Sequence, residues 1–238
     1  MRSFTARAAL AALLPSARAD DFNSLQLLTQ DQFHQLAQDL GAASSYKYLA
    51  PAAPLGLAGF DIAFSSSFTS LQYRDAWRAA SAGSDVPSTV PVTSLRIAKG
   101  LPLGIDIGAT LGALPGTGAR LAGAELRWAL LGGGVLEPAV GLRLSYSQIS
   151  GVDQFSVSNT GVDLAVSKGF PIVTPYAGIG AVRTSAKAKG VATLASESPT
   201  QTRLFGGGHF NFGFVDLTIE ADRTGKTSTV SGRLGLRF

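Results

Sequence analysis

The feature that most constrains the fold is an alternation of apolar and polar residues along residues 59–238. Successive side chains of a β-strand point to opposite faces, so a period of two predicts strands. In residues 59–68, for example, Phe60, Ile62 and Phe64 alternate with Asp61 and Ala63. Ten such segments follow one another, at residues 59–68, 93–100, 103–111, 122–130, 139–147, 161–169, 174–184, 202–212, 215–222 and 229–238. The sequence therefore predicts an all-β fold of about ten strands.

The connections between these segments alternate in length. Tight connections fall near Leu101, Gly133, Pro171 and Gly213, whereas residues 69–90, 114–118, 148–154 and 187–200 form longer ones, and a tight turn at 223–226 completes the set. Short turns at one end and longer loops at the other are typical of membrane-spanning β-barrels. An even strand number would place both ends of the barrel sequence on the short-turn side. The pattern favours a closed antiparallel transmembrane β-barrel over residues 57–238.

The polar face of the predicted strands suits a crowded interior better than a water-exposed surface. It is rich in Gly, Ser and Ala, and its charges balance. In a closed barrel this face lines the lumen and the apolar face meets lipid. We predict a lumen ion-pair network of six acids and six arginines: Asp61, Arg96, Asp106, Glu125, Arg127, Arg143, Asp163, Arg203, Asp216, Glu220, Arg233 and Arg237.

One pair in this network follows from a predicted turn. If the last hairpin turns around Thr224 and Gly225, Asp216 lies directly opposite Arg233. Opposite charges at facing positions stabilise a strand pair. We therefore predict that these two side chains form an ion pair across the hairpin.

The C-terminus alternates Leu234, Leu236 and Phe238 with polar residues and ends on the aromatic ring. This ending resembles the assembly signal of bacterial outer-membrane β-barrels, which the barrel assembly machinery reads. Segments such as "KGLPLGIDIGA" and "SKGFPIVTPYAGIG" are similar to a family of proteobacterial outer-membrane proteins. The resemblance implies an outer-membrane barrel in contact with lipid and lipopolysaccharide, and it implies no particular biochemical role.

The first 19 residues have the pattern of an export signal. Arg2 and Arg7 precede an apolar run at residues 8–14, and the small-x-small motif at 17–19 fits a cleavage site. The chain has 20 Lys and Arg against 16 Asp and Glu, and cleavage removes three arginines, which leaves 17 against 16, or +1. This balance argues against a nucleic-acid partner. The absence of Cys excludes disulfides and thiolate sites.

Residues 20–56 differ from the strand region. Residues 29–41 predict a short helix, with Thr29 as cap, Gly41 as end and an apolar stripe of Phe33, Leu36, Ala37 and Leu40. A proline-bearing linker follows at residues 48–56. The narrow stripe suits a helix that plugs the lumen or caps the periplasmic mouth. A free periplasmic tether is the other interpretation.

Candidate catalytic residues are few. His209 lies on the predicted lumen face without a Ser, Asp or His partner motif, so a hydrogen-bonded histidine is the preferred interpretation. The longest loop contains "RDAWRAASAG", which predicts a short surface helix with Trp77 against the rim or lipid headgroups. We expect no enzyme activity, no cofactor and no metal.

Two functions remain open from the sequence. A barrel of about ten strands has a restricted lumen, since side chains fill barrels of eight strands and open porins need about 16. A narrow or plugged channel for small solutes is the first expectation. A non-conducting structural or surface-interaction barrel that acts through its extracellular loops is the alternative.

Overall fold

The computed structural model describes residues 25–81, 86–134 and 136–238, so the predicted export signal lies outside the described residues. Ten antiparallel strands form a closed barrel in which β1 pairs with both β2 and β10. The strands are β1 (Phe60–Ser70), β2 (Thr89–Gly100), β3 (Ile105–Ala113), β4 (Arg120–Gly132), β5 (Ala139–Ser150), β6 (Phe155–Ser167), β7 (Val173–Ala188), β8 (Thr200–Phe212), β9 (Val215–Thr224) and β10 (Thr227–Arg237). The predicted strand number and topology are confirmed.

The two ends of the barrel differ in their connections. At the turn end, where β1 begins and β10 ends, residues 101–104, 133–138, 168–172 and 213–214 join the strands. At the loop end the joining residues are 71–88, 114–119, 151–154, 189–199 and 225–226. Because β1 and β10 pair with each other, the wall closes without an exposed strand edge.

The last hairpin has a different register from the predicted one. Thr224 pairs with Thr227, so the two-residue turn is Gly225 and Lys226. Gly225 has a φ of 60°, the left-handed conformation that favours glycine. Asp216 consequently lies opposite Gly235 rather than Arg233. The predicted facing register was wrong by two residues because Gly225 occupies the first turn position instead of the second.

Among the described residues, two α-helices accompany the barrel. The first, α1 (Gln30–Ser44), begins with the predicted Thr29 cap, which forms a reciprocal capping box with Gln32. The predicted end at Gly41 was wrong, because the helix continues for three residues. Glycine is required there by packing: a Cβ at Gly41 would lie 2.0 Å from Oγ1 of Thr184 on β7. The second, α2 (Arg74–Ala80), lies in the first loop.

The N-terminal part of the chain lies inside the barrel. Helix α1 sits at the loop end, where it contacts β1, β2, β5, β6, β7 and β10. The chain then runs toward the turn end through the lumen as an extended stretch, residues 45–55, which we call the inner segment. It emerges beside Gly100, whose backbone closely approaches Gly56, and enters β1. The helix therefore lies at the opposite end from the mouth where the chain enters β1.

The outer wall of the barrel is apolar. Large exposed side chains occur on every strand, and they include Phe64, Ile97, Leu111, Trp128, Leu144, Leu164, Ile179, Leu204, Ile219 and Leu234. Their lumen-side neighbours in the alternation are mostly buried. An apolar outside and a polar inside is the reverse of a water-soluble barrel. None of the described helices has the length and apolar character needed to cross a membrane.

Candidate functional site

The lumen contains all twelve charged residues of the predicted network. Eleven of them are buried, and Arg237 at the turn end is partly exposed. Glycines on the lumen side make room for these long side chains. A Cβ at Gly180, for example, would lie 2.2 Å from Oδ1 of Asp163. The alternation therefore identified the interior positions, and the fold determines which charges meet.

The largest ion-pair group centres on Glu125 of β4. Its carboxylate lies 3.7 Å from Arg96, 3.8 Å from Arg127 and 3.6 Å from Arg143. Arg127 also approaches Asp106 at 3.2 Å. Arg143 links this group to β6, because its Nε and Nη2 both donate to Asp163.

A second group lies near the turn end around Arg233. This guanidinium donates to Asp61 and, at 2.8 Å, to Asp216. Asp61 also accepts from Arg237 at 3.0 Å. The predicted Asp216–Arg233 ion pair is therefore present, although the two residues are diagonal neighbours instead of facing ones. The length of the arginine side chain allows it to reach across the shifted register.

The inner segment uses these wall charges as backbone partners. Arg143 donates to the carbonyls of Tyr46 and Lys47 at 3.1 and 2.8 Å, and Arg203 donates to the Tyr46 carbonyl at 2.7 Å. Arg96 donates to the Lys47 carbonyl at 3.1 Å. An extended chain has no internal hydrogen bonds, so its buried carbonyls need donors from elsewhere. Three arginines from opposite walls supply them.

Acidic and hydroxyl groups of the wall bind the amide side of the same segment. Glu220 accepts from the Leu49 amide at 2.8 Å, and Ser167 accepts from the Ala52 amide at 3.0 Å. Farther toward the turn end, Asp106 accepts from the Leu55 amide at 3.1 Å. Carboxylates thus bind N–H groups and guanidiniums bind C=O groups. The lumen is chemically matched to a peptide backbone.

Two tyrosines of the inner segment fill the remaining space. The guanidinium of Arg96 lies 4.5 Å from the Tyr46 ring centre, and that of Arg143 lies 4.6 Å from the Tyr48 ring centre. Tyr48 also stacks on Phe205 with ring centres 4.7 Å apart. Cation–π contacts of this kind are strongest where water is excluded. The backbone of the inner segment and the rings of Tyr46 and Tyr48 together occupy the middle of the lumen.

The loop end of the lumen is apolar. The predicted stripe of Phe33, Leu36, Ala37 and Leu40 is buried there. It belongs to a cluster with lumen-facing residues that the sequence analysis did not predict: Val90, Val92, Leu121, Ile149, Phe155 and Val157. Each of them lies an even number of positions from a lumen-facing charged residue of its own strand. The alternation could therefore have placed them in the lumen. The wall changes from charged to apolar where the helix replaces the extended segment.

Other residues of the site were also missed. Lys47 donates to Asp222 and to Thr229 at 3.3 and 3.2 Å, so it adds a buried ion pair. Asp39 accepts hydrogen bonds from Trp77 and Thr227. Asp222 lies two positions after Glu220 and thus on the same face of β9, so the alternation could have placed it in the lumen. Lys47 and Asp39 lie outside the alternating region, so no sequence pattern marked them. Trp77 packs against the cluster at the rim.

His209 is a buried hydrogen-bonded residue. Its Nδ1 lies 3.0 Å from the Thr218 hydroxyl and 3.7 Å from Asp216. It borders a cavity of about 250 Å³ at the turn end, together with Pro54, Ser167 and Arg237. The Thr218 hydroxyl on β9 is therefore the hydrogen-bond partner of the ring. Among residues 25–81, 86–134 and 136–238, no group of three His, Asp or Glu side chains is placed to ligate a metal.

The assembly-signal residues lie on the outer wall. Leu234 and Leu236 of β10 and Phe238 directly after it are exposed, and Phe238 exchanges backbone hydrogen bonds with Phe60 of β1 at 2.9 and 3.0 Å. The last residue thus takes part in closing the barrel. Its recognition during assembly stays a prediction.

The chain is similar in structure to several solved proteins at low sequence identity. No protein-family model matches the chain, and no curated protein matches it. Similar solved structures include the N-terminal β-barrel domain of Pseudomonas aeruginosa OprF, with 12% identity, 77% of this chain and 99% of that chain covered, and a TM-score of 0.39. The KdgM porin matches with 8% identity, 75% and 99% coverage and a TM-score of 0.40. Neisserial surface protein A matches with 11% identity, 76% and 97% coverage and a TM-score of 0.34.

The geometry of this chain combines three features. Its wall has a lipid-compatible exterior, its lumen is charged, and its own N-terminal segment occupies that lumen. The protein is an outer-membrane-type β-barrel of ten strands whose lumen is occupied by residues 25–55 of the same chain.

Proposed function

We propose that the mature chain is a bacterial outer-membrane barrel whose lumen is closed by residues 25–55 and admits small solutes when this plug is displaced. The long loops would face the cell exterior and the short turns the periplasm, as in other bacterial barrels. The apolar outer wall and the asymmetry of the connections support this location. Lipid would contact the outer wall directly.

One observation carries the proposal: the wall binds the inner segment through its backbone. The contacts of Arg143, Arg203, Glu220 and Asp106 go to carbonyl and amide groups, which any extended peptide presents. The same groups would face water if the segment left. Displacement would expose charged side chains of both signs along the part of the lumen that holds the inner segment. Such a lining suits small polar solutes.

A disulfide lock tests the proposal in the full-length chain. The chain has no native cysteine, and Ala52 lies next to Gly141 of β5. A Cβ built at Gly141 lies 3.5 Å from the Ala52 Cβ, within the range of a disulfide. The double variant A52C/G141C would tether the plug to the wall when oxidised and release it when reduced. Each single-cysteine variant is the matched control.

The measurement is single-channel conductance in planar bilayers. We expect openings with the wild type and with the reduced double variant, silence with the oxidised one, and steady conductance when residues 20–55 are deleted. The single-cysteine controls should behave as the wild type under both redox conditions. Equal conductance of the oxidised and reduced double variant would contradict passage through a displaced plug.

The alternative function is a permanently closed barrel that acts through its loop-end surface. The buried apolar cluster between α1 and the wall favours it, because burial of apolar surface opposes removal of the helix. This alternative predicts silence in every form, including a folded deletion variant. Heat-modifiable migration on gels would verify that the deletion variant had folded.

A further inference from the structure

The wall of the barrel has a notch at the loop end. Strands β9 and β10 are joined by two residues, and the pairing of β8 with β9 stops at Arg203 and Thr224. The Thr202 carbonyl accepts from the Gly225 amide of the β9–β10 turn at 2.8 Å, and the β8 residues Thr200 and Gln201 extend beyond this turn. The space beside them is a cavity of about 450 Å³ that reaches inward to Gln38 of α1.

The notch is cationic. Arg223 and Lys226 line it and are exposed, and none of the described residues that line it is acidic. Arg183 is also exposed and lies opposite Thr200, another residue of the lining. The nearby Asp222 faces the lumen and pairs with Lys47, so it does not neutralise the notch. A net positive recess favours an anionic ligand.

The remaining lining offers hydrogen bonds. Thr200, Thr202 and Tyr73 contribute hydroxyl groups. Gln201 forms part of the inner side, and its buried Oε1 accepts no hydrogen bond from the described residues. Such neutral polar groups suit the hydroxyls of a saccharide better than a bare inorganic ion.

The notch also borders the lipid-facing wall. Leu204 lines its lower side, lies directly opposite Arg223 and is exposed, as is Val230 on β10. An acyl chain could run down these side chains while the cations hold the charged group above. Lysine and arginine at the edge of an apolar belt are suited to this arrangement.

We propose that this notch binds the phosphate group of a phosphorylated saccharide, with Arg223 and Lys226 as the phosphate ligands. The lipid-facing lower side favours the headgroup of an outer-leaflet glycolipid, and a soluble phosphorylated saccharide shares the same chemistry. The site does not depend on conduction through the lumen.

The test is a binding titration of the refolded full-length protein in detergent with three probes. These are deep-rough lipopolysaccharide, the same material with its acyl chains removed, and the same material with its phosphates removed. We expect R223Q/K226Q to weaken binding of the intact probe about tenfold or more, because each guanidinium or ammonium contact to phosphate is charge-assisted. Dephosphorylation of the probe should weaken binding to the wild type similarly.

The matched control is R120Q. Arg120 is exposed at the loop end of β4, outside the notch, and its removal should change affinity less than about twofold. Weak binding of the deacylated probe would identify the ligand as lipid-anchored, and equal binding would identify a soluble saccharide; both support the site. Equal losses in R120Q and the double variant, or full affinity for the dephosphorylated probe, would overturn it. Heat-modifiable migration would verify that each variant is folded.

Discussion

At the scale of single residues, Asp39 connects the plug to the rim of the barrel. The side chain is fully buried on α1. Its carboxylate accepts from the Tyr73 amide at 3.0 Å, from Trp77 Nε1 at 3.1 Å and from the Thr227 hydroxyl at 2.7 Å. These donors come from the first loop and from the last hairpin. One carboxylate therefore fastens the helix to both sides of the loop-end mouth.

We expect Asp39→Ala to loosen the cap. Each buried donor left without an acceptor costs about 1–3 kcal/mol, so the helix should detach well below the temperature at which the barrel unfolds. Trp77 fluorescence in a Trp128→Phe background would report this step, since the chain has two Trp. Asp31→Ala, in the exposed first turn of α1, is the control and should cost about 1 kcal/mol or less. An unchanged Trp77 transition in D39A would show that other contacts hold the helix.

At the scale of elements, the wall strands and the inner segment depend on each other. Arg143 on β5 is fully buried and bonds at once to Asp163 on β6 and to two carbonyls of the inner segment. A buried charge is tolerated only when its partners satisfy it. Removal of the arginine would leave Asp163 and those carbonyls short of donors.

Arg143→Met should therefore lower the free energy of unfolding by about 3–5 kcal/mol, which is typical of a buried pair that loses one partner. The measurement is denaturant unfolding in detergent micelles. Arg120→Met, on the exposed outer face of β4, should stay within about 0.5 kcal/mol of wild type. Combining R143M with Asp163→Leu should recover part of the loss, because the uncompensated carboxylate is then gone. A loss for R143M no larger than for R120M would mean that water already satisfies the network.

At the scale of the whole molecule, residues 25–55 lie inside the barrel that the strands after them form. Leu27 lies at the loop end, and Phe60 begins β1 at the turn end. The described chain thus enters the barrel from the side of the long loops. In the proposed orientation, residues near Leu27 lie at the cell surface.

Cysteine labelling of intact cells tests this topology. Leu27 is 67% exposed at the loop end and Leu103 is 86% exposed in a turn-end connection. We expect a membrane-impermeant maleimide to label L27C in intact cells and L103C only after the outer membrane is opened. The cysteine-free wild type provides the background. The reverse labelling pattern would contradict the orientation, and labelling of both variants at the same stage would contradict the threading.

The sequence by itself determined the barrel, a strand number of about ten and the side of each strand that carries charge. These properties follow from local chain geometry, because a period of two assigns every residue of a strand to one face. It also determined the start of α1, since a capping box involves residues three apart. Thr29 and the alternation of Arg143 with Leu142 and Leu144 were therefore readable without a structure.

Only the tertiary structure decided which charges meet and what fills the lumen. Asp216 and Arg233 met diagonally because a turn shifted by one position displaces the register by two. Gly41 serves close packing instead of ending the helix, because Thr184, 143 positions away in the chain, lies against it. The partners of Lys47 and Asp39 likewise come from β9, β10 and the first loop. Contacts between distant segments depend on barrel closure and on the path of the inner segment. No periodic pattern in the sequence encodes either of them.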